Sequence, residues 1–442
     1  MSKEEAKKLK DWLTIGYVGN VIDSSEPFSK NKEIANLIKK HPYSFKKITE
    51  DNLRCVDKKI LIYALACCTF AGKDGKHVLN DLFLKFIRTL SDLYYFVSYV
   101  KEMRNINETI TPYVIKFVRS QSFEKLHKEI IMFRNHETEI NFNFLISKCG
   151  LTARNEKEEL YFKTITSPKS KCHIQLVDDY ENLKKGRPAT LLNKFSFEML
   201  PNKPILYENK IILENVVKNT NVNTILENIE TFNKVDSIKY VSKVSTEPVN
   251  KYIAAKAYTK CDEPVKHIIK EKINTKSLKK RICNIIDYDL AGLEQNKYPI
   301  KNLPFIFSGQ FENVENIIFE NHERFRDIDV NIEDILNDDY VSQVKLRENT
   351  TIYFDKFMGH LLEENKKVDA FIVWTYGKEF TMKKRPEMME IYNTYCDRNV
   401  KIVFIYFNAQ KEFDCSSNVL NLNGFDINRS EDIIKRFLYS DI

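Results

Sequence analysis

Ala370-Phe371-Ile372-Val373-Trp374 and Val400-Lys401-Ile402-Val403-Phe404-Ile405-Tyr406 are short apolar runs, rich in β-branched and aromatic residues, that flank an amphipathic stretch. Strand-like runs alternating with a helical pattern predict a βαβ unit and therefore a parallel sheet. Pro386 sits near the start of the intervening segment, where the first turn of a helix tolerates it. Met388, Met389, Ile391 and Tyr392 follow at spacings that share one helix face. The C-terminal part therefore reads as an α/β domain. Ile282 to Ile286, Phe305-Ile306-Phe307 and Ile317-Ile318-Phe319 extend the strand-like pattern backwards, and the domain boundary is expected near Asn274 to Lys280. The expected domains are 1–275 and 276–442.

The N-terminal half has a different period. Glu33 to Lys40, Lys58 to Phe70 and Val78 to Ile87 space their apolar residues at i, i+3 and i+4, and Leu90 to Met103, Thr111 to Val118 and Phe123 to Phe133 continue the series. Consecutive short helices without a strand signal predict antiparallel pairs stacked as an α-solenoid, with an irregular helical domain as the plainer alternative. Residues 9 to 20 open with an apolar segment that ends at Gly16 and Gly19, and Lys184-Lys185-Gly186-Arg187-Pro188 marks a loop.

Composition narrows the function classes. Across 442 residues, 43% hydrophobic and 12% aromatic content fills real cores, and the net charge of +7 (69 Lys+Arg against 62 Asp+Glu) permits RNA binding without requiring it. Nine cysteines without zinc spacing predict buried, reduced thiols and an intracellular, cytoplasmic or nuclear protein. The chain has no 18-residue apolar run and no signal-like start, which predicts no membrane partner. There is no Ser-His-Asp set, phosphate-cradling loop, nucleophile elbow or H-x-x-x-H pair, so the expectation is a protein without enzymatic activity or cofactor.

Two groups of residues carry candidate chemistry. Lys125, Lys128, Arg134, His136 and Lys148 form a basic cluster on or between two helices, readable as phosphate contacts or equally as solvated helix faces. Asp287 and Asp289 follow the first expected parallel strand, where carboxylates suit a hard cation, although an acidic turn is the commoner use of such a pair.

Trp12-Leu13-Thr14-Ile15-Gly16-Tyr17-Val18-Gly19, Ile62-Tyr63-Ala64-Leu65-Ala66-Cys67-Cys68, Asp369 to Thr375 and Leu420-Asn421-Leu422-Asn423-Gly424-Phe425-Asp426 together resemble, in order, motifs of the Ro autoantigen family. That family pairs a TROVE module with a von Willebrand A-like domain. The resemblance covers nearly the whole chain and implies a HEAT-like ring of helical repeats followed by a Rossmann-type α/β domain. It also implies a noncoding-RNA-binding protein, with Y-like, misfolded or ribosomal RNA as partner. Lys148 falls where the family has a Ser-His pair, Arg134 in the basic stretch before it, and Asn215 in a segment similar to Leu-Arg-Asn-Leu with Glu214 in place of Arg.

The family's metal pattern maps onto Asp287, Asp289, Ala291, Thr350 and Tyr376. Ala291 offers no oxygen and Tyr376 replaces a carboxylate, so the resemblance implies only a remnant, Asp287, Asp289 and Thr350, without bound metal. Only Gly292 to Pro304 separate the Asp287 run from Phe305-Ile306-Phe307, too little for an ordinary crossover helix between parallel strands. A second reading is a non-catalytic protein-interaction scaffold docked on a ribonucleoprotein particle such as the ribosome, a vault or telomerase, in contact with that particle's proteins.

Overall fold

The computed structural model describes residues 1–15, 21–23, 31–52, 56–103, 110–134, 140–166, 174–236, 238–287, 303–319, 325–327, 332–337, 354–375, 385–396, 399–407, 418–423, 425 and 430–439. The chain forms two compact units: residues 1–13 with 28–248, and residues 14–27 with 249–442.

The first unit is helical. Its most buried element is Lys58–Cys68, in which every residue from Ile60 to Cys68 is shielded from solvent. A helix that is apolar all round must be covered on all sides. Lys32–Lys40, Gly72–Phe86 and Leu90–Met103 pack against it, and Pro42–Asp51 packs on Gly72–Phe86. Asp57 caps its start, accepting from the backbone N–H groups of Lys59 at 2.8 Å and Ile60 at 3.1 Å. The helix Leu90–Met103 starts at a reciprocal box. Thr89 Oγ1 accepts from Asp92 N at 3.1 Å, while Asp92 accepts from Thr89 N at 2.9 Å and from Lys58 Nζ at 2.8 Å. Leu90–Met103 packs in turn on Phe123–Arg134, which packs on Gln175–Lys184. This succession of helices is the repeat array that the periodicity predicts. Pro42–Asp51 is an additional helix that the sequence reading did not mark.

Gly75 shows how closely the backbones approach. A Cβ there would lie 2.2 Å from Cys68 O and 2.5 Å from Ala71 Cβ, so only glycine fits.

The second unit holds a seven-stranded sheet: β1 (Val21–Asp23), β2 (Leu278–Asp287), β3 (Phe311–Phe319), β4 (Phe325–Asp327), β5 (Ala370–Thr375), β6 (Lys401–Tyr406) and β7 (Val419–Asn423). The order is β1-β7-β6-β5-β2-β3-β4, and only the β3–β4 pairing is antiparallel. Counting from β2, this is the doubly wound order 3-2-1-4-5-6. The fold class is thus the expected one, a helical repeat array followed by an α/β domain of von Willebrand A-like order. The predicted βαβ unit is β5, the helix Arg385–Cys396, and β6.

Strand alternation separates the two sheet faces. Cys283, Ile285, Phe371, Val373 and Phe404 point to one face, where Phe357, Leu361 and Tyr392 from the helices Phe354–Glu363 and Arg385–Cys396 join their core. On the other face Trp374 Nε1 donates to Asn284 Oδ1 at 2.7 Å, and Asn284 Nδ2 donates to Asn316 Oδ1 at 2.8 Å. Asn284 is fully buried, so these bonds satisfy polar atoms that water cannot reach. Phe307 and Phe425 pack on Trp374, and Tyr252 packs on Phe425.

Four details differ from the sequence reading. Phe305-Ile306-Phe307 is not a strand but the centre of the helix Leu303–Ser308. The true neighbour of β2 begins at Phe311, so the crossover includes this helix and the apparent shortage of chain disappears. Ile391 is exposed and does not belong to a buried stripe, whereas Tyr392 is fully buried; the side chains of Met388 and Met389 lie outside the described residues. The N-terminal part also supplies a strand, β1, which pairs in parallel with β7.

The expected division at 275 and 276 marks where strands begin, but the compact units divide at Pro248 and Val249. The helix Lys251–Tyr258 packs on Leu303–Ser308 and Ile332–Leu336 and so belongs with the sheet.

Candidate nucleic-acid interface

Residues with a charge to offer are the starting point, and their partners decide which of them still offer it. On Phe123–Arg134, Lys125 Nζ donates to Arg88 O at 2.8 Å and to Gln121 Oε1 at 2.9 Å, and lies 3.9 Å from Glu129. Glu129 accepts from Leu90 N across the helix junction. Burial raises the pKa of Glu129 and that N–H pulls it back. Lys125 and Glu129 thus pin one helix to the start of another. Lys128 pairs with Glu124 at 3.3 Å. A concavity of about 490 Å³ is lined by Ser122, Glu124, Lys125, Lys128 and Glu129, so two carboxylates offset its two ammonium groups.

His127, beside them, adds no charge at neutral pH, because burial lowers its pKa to about 4. Its ring lies 4.7 Å from that of Tyr161. The side chain of Arg134 and the whole of His136 lie outside the described residues.

Lys148 stands differently. It is exposed in the last turn of Phe142–Lys148, a helix capped by Asn141, whose Oδ1 accepts from Phe144 N at 3.0 Å. The negative helix end favours a cation there, which is a sufficient structural reason for it. One turn earlier, Lys101 Nζ lies 5.7 Å above the Phe144 ring, so a cation, a ring and a second cation follow each other on neighbouring helix faces.

Asn215 is committed locally, its Nδ2 donating to Ile211 O at 2.8 Å. Glu214 pairs with Lys239 at 2.8 Å and so ties two helices together. Ile131 and Val216 share one hydrophobic cluster, which places the helices carrying Lys128 and Asn215 around the same core.

A stronger basic feature lies where the sequence suggested only a loop. Lys184, Lys185 and Arg187 are exposed around Gly186, whose φ of +75° terminates the helix Gln175–Lys184. Gly186 N donates to Leu183 O at 3.0 Å and Arg187 N to Asn182 O at 2.8 Å, the paired bonds of a Schellman motif. Asp179, fully buried, holds the returning chain: it accepts from Leu191 N at 2.6 Å, from Thr190 Oγ1 at 3.1 Å and from Gln175 Nε2 at 2.9 Å. Among the described residues Lys184, Lys185 and Arg187 have no ion pair. Three cations in four residues around a glycine were the signal in the sequence.

At the other candidate site, Asp287 ends β2 in register with Thr375 of β5. This is the point where strand order reverses, at which doubly wound sheets bind ligands. The Asp287 side chain, Asp289, Ala291, Thr350 and Tyr376 lie outside the described residues. The donor chemistry does not fit a hard cation, since alanine supplies no oxygen and the tyrosine replaces a carboxylate. Among the described residues no group of three His, Cys, Asp or Glu side chains could hold a metal, and no helix is long and apolar enough to cross a membrane. Cys67, Cys68, Cys149, Cys261, Cys283 and Cys396 are buried free thiols; burial pushes Cys67 up to about 12 and Cys149 to about 11, far from nucleophilic thiolates.

No family model and no curated protein matches the sequence. Among solved structures, the crystal structure of the Deinococcus radiodurans Ro (RSR) protein is similar to this chain. It superposes with a TM-score of 0.74 over 99% of this chain and 100% of that one, at 13% sequence identity. The chain therefore has the fold of that protein along its whole length.

Proposed function

We propose that this chain, sharing the fold of a Ro protein from end to end, is a Ro-type binder of noncoding RNA without catalytic activity. The observation that carries the proposal is the structural likeness over 99% of the chain, which extends to both units rather than to one common fold. The exposed cations Lys148, Lys184, Lys185 and Arg187 support it, because they have charge to offer to phosphates, whereas Lys125 and Lys128 are largely neutralised. Small structured RNAs and single-stranded RNA ends are the ligands in this reading, bound in the cytoplasm or nucleus.

The scaffold reading has one observation of its own. Ile205, Ile211 and Ile238 are 68%, 71% and 77% exposed, and the Glu214–Lys239 pair draws together the helices that carry the last two.

Gel-shift titration with an RNA hairpin bearing a single-stranded 3′ tail tests the proposal. Affinity is expected to fall steeply with salt, and Lys148→Glu to weaken binding several-fold at an unchanged melting temperature. Absence of RNA binding at low salt would leave the scaffold reading, and unchanged affinity of Lys148→Glu would remove that residue from the site.

A further inference from the structure

We infer that Tyr95, Tyr99 and Lys59 form a platform on which an unpaired base of single-stranded RNA stacks, giving the protein preference for unpaired over duplex RNA. The inference rests on the RNA-binding reading and adds to it a specificity element that charge alone cannot supply. In the helix Leu90–Met103, Tyr94, Phe96 and Val97 are buried, while Tyr95 between them is 40% exposed. Tyr99 follows one turn later on the same face, its ring within 23° of parallel to that of Tyr95 and 6.3 Å away between centroids.

The platform has rigid support. Tyr99 meets Tyr63 edge-on at 5.4 Å, and Tyr63 packs at 5.8 Å on Trp12, which is fully buried. Lys59, exposed in the first turn of Lys58–Cys68, places its ammonium 5.3 Å from the Tyr95 ring centroid. Among the described residues Lys59 has no carboxylate partner, unlike Lys58, which is spent on Asp92. Its flexible stem can yield the ring face to a base and carry the charge to the adjoining phosphate.

Every base has a π face, so such a surface is tolerant of sequence. Bases within a duplex are already stacked on one another and offer no free π face, so the platform discriminates by strandedness.

The test compares binding of the full chain to a single-stranded oligoribonucleotide and to a duplex of the same length, for wild type, Tyr95→Phe, Tyr95→Ala and Tyr95→Leu. Tyr95→Leu keeps apolar bulk and helix propensity if the alanine variant proves unstable. The expected result is an affinity loss of about 10-fold for the single strand in the alanine and leucine variants, little change for the duplex, and wild-type behaviour of Tyr95→Phe. Unchanged single-strand affinity in Tyr95→Ala and Tyr95→Leu, or equal loss for both ligands, overturns the platform while leaving RNA binding in place. If the wild type binds neither ligand, the RNA-binding reading falls and the platform with it.

Discussion

Asp179 gives the sharpest quantitative prediction, because a fully buried carboxylate holds the chain that returns from the exposed Lys184–Arg187 loop. Replacing it with alanine removes the acceptor for Leu191 N, Thr190 Oγ1 and Gln175 Nε2 and leaves a backbone N–H without its partner. A net hydrogen bond to a charged group contributes about 1.5–3 kcal/mol, and such bonds at one carboxylate are not additive. A loss of about 3 kcal/mol is expected for Asp179→Ala, which for a unit of this size lowers the melting temperature by about 6–12 °C. Asp179→Asn keeps the shape and one acceptor oxygen but turns an amide donor toward donors, and should cost about half as much.

The pH dependence follows from the same bonds. Burial alone would raise the Asp179 pKa, but the backbone N–H groups of Leu191 and Thr190 and the side-chain amide of Gln175 favour the ionised form and hold it below the ordinary carboxylate value. A depressed pKa contributes stability that is fully present above the unfolded-state value of about 3.9 and disappears as pH falls through the folded value. The stability gap between wild type and Asp179→Asn, followed by circular dichroism melts, should therefore be constant from about pH 7 to 5 and narrow below that. A gap that stays fixed or widens toward acid would refute the claim that hydrogen bonds to the charged form dominate this site. So would a Tm for Asp179→Ala equal to that of wild type.

Gly75→Ala is expected to destabilise the helical unit by more than about 2 kcal/mol, since its Cβ would meet the Cys68 carbonyl at 2.2 Å; urea midpoints measure this. Changing Lys184, Lys185 and Arg187 together to Glu should weaken RNA binding across unrelated sequences, leave the melting temperature nearly unchanged, and flatten the log affinity versus log salt plot by about 0.7–0.9 per lost phosphate contact. An unaltered slope would show that the loop does not touch phosphates.

Much of the fold was legible in the sequence where the signal is local and long. Lys58–Cys68 and Leu90–Met103 declare themselves by period, and β5 and β6 by continuous apolar runs buried on both faces. Phe305-Ile306-Phe307 misled because a three-residue apolar run has no period, and Phe307 is apolar to pack on Phe311 and Trp374 rather than to form a strand. β1 could not be read because three residues carry no pattern, and its partner is at the far end of the sequence. The candidate site was less legible still. Charge can be counted in a sequence, but whether Lys128 meets Glu124 while Lys148 meets solvent depends on which turn of a helix faces which neighbour. Tyr95 looks like any other aromatic of an apolar helix until its exposure is known.

The pairing of β1 with β7 also bears on how the protein is made. Val21–Asp23 leaves the ribosome well before its partner Val419–Asn423, which follows about 400 residues later. At ordinary elongation rates of about 5–20 residues per second, that is a wait of about 20–80 s. Throughout it, the intervening helices can form from local contacts, while the strand that joins β1 to the rest of the sheet has yet to be synthesised. A nascent chain halted before β7 therefore holds a strand with exposed backbone donors and acceptors and no mate, the kind of edge that chaperones cover and neighbouring chains invade.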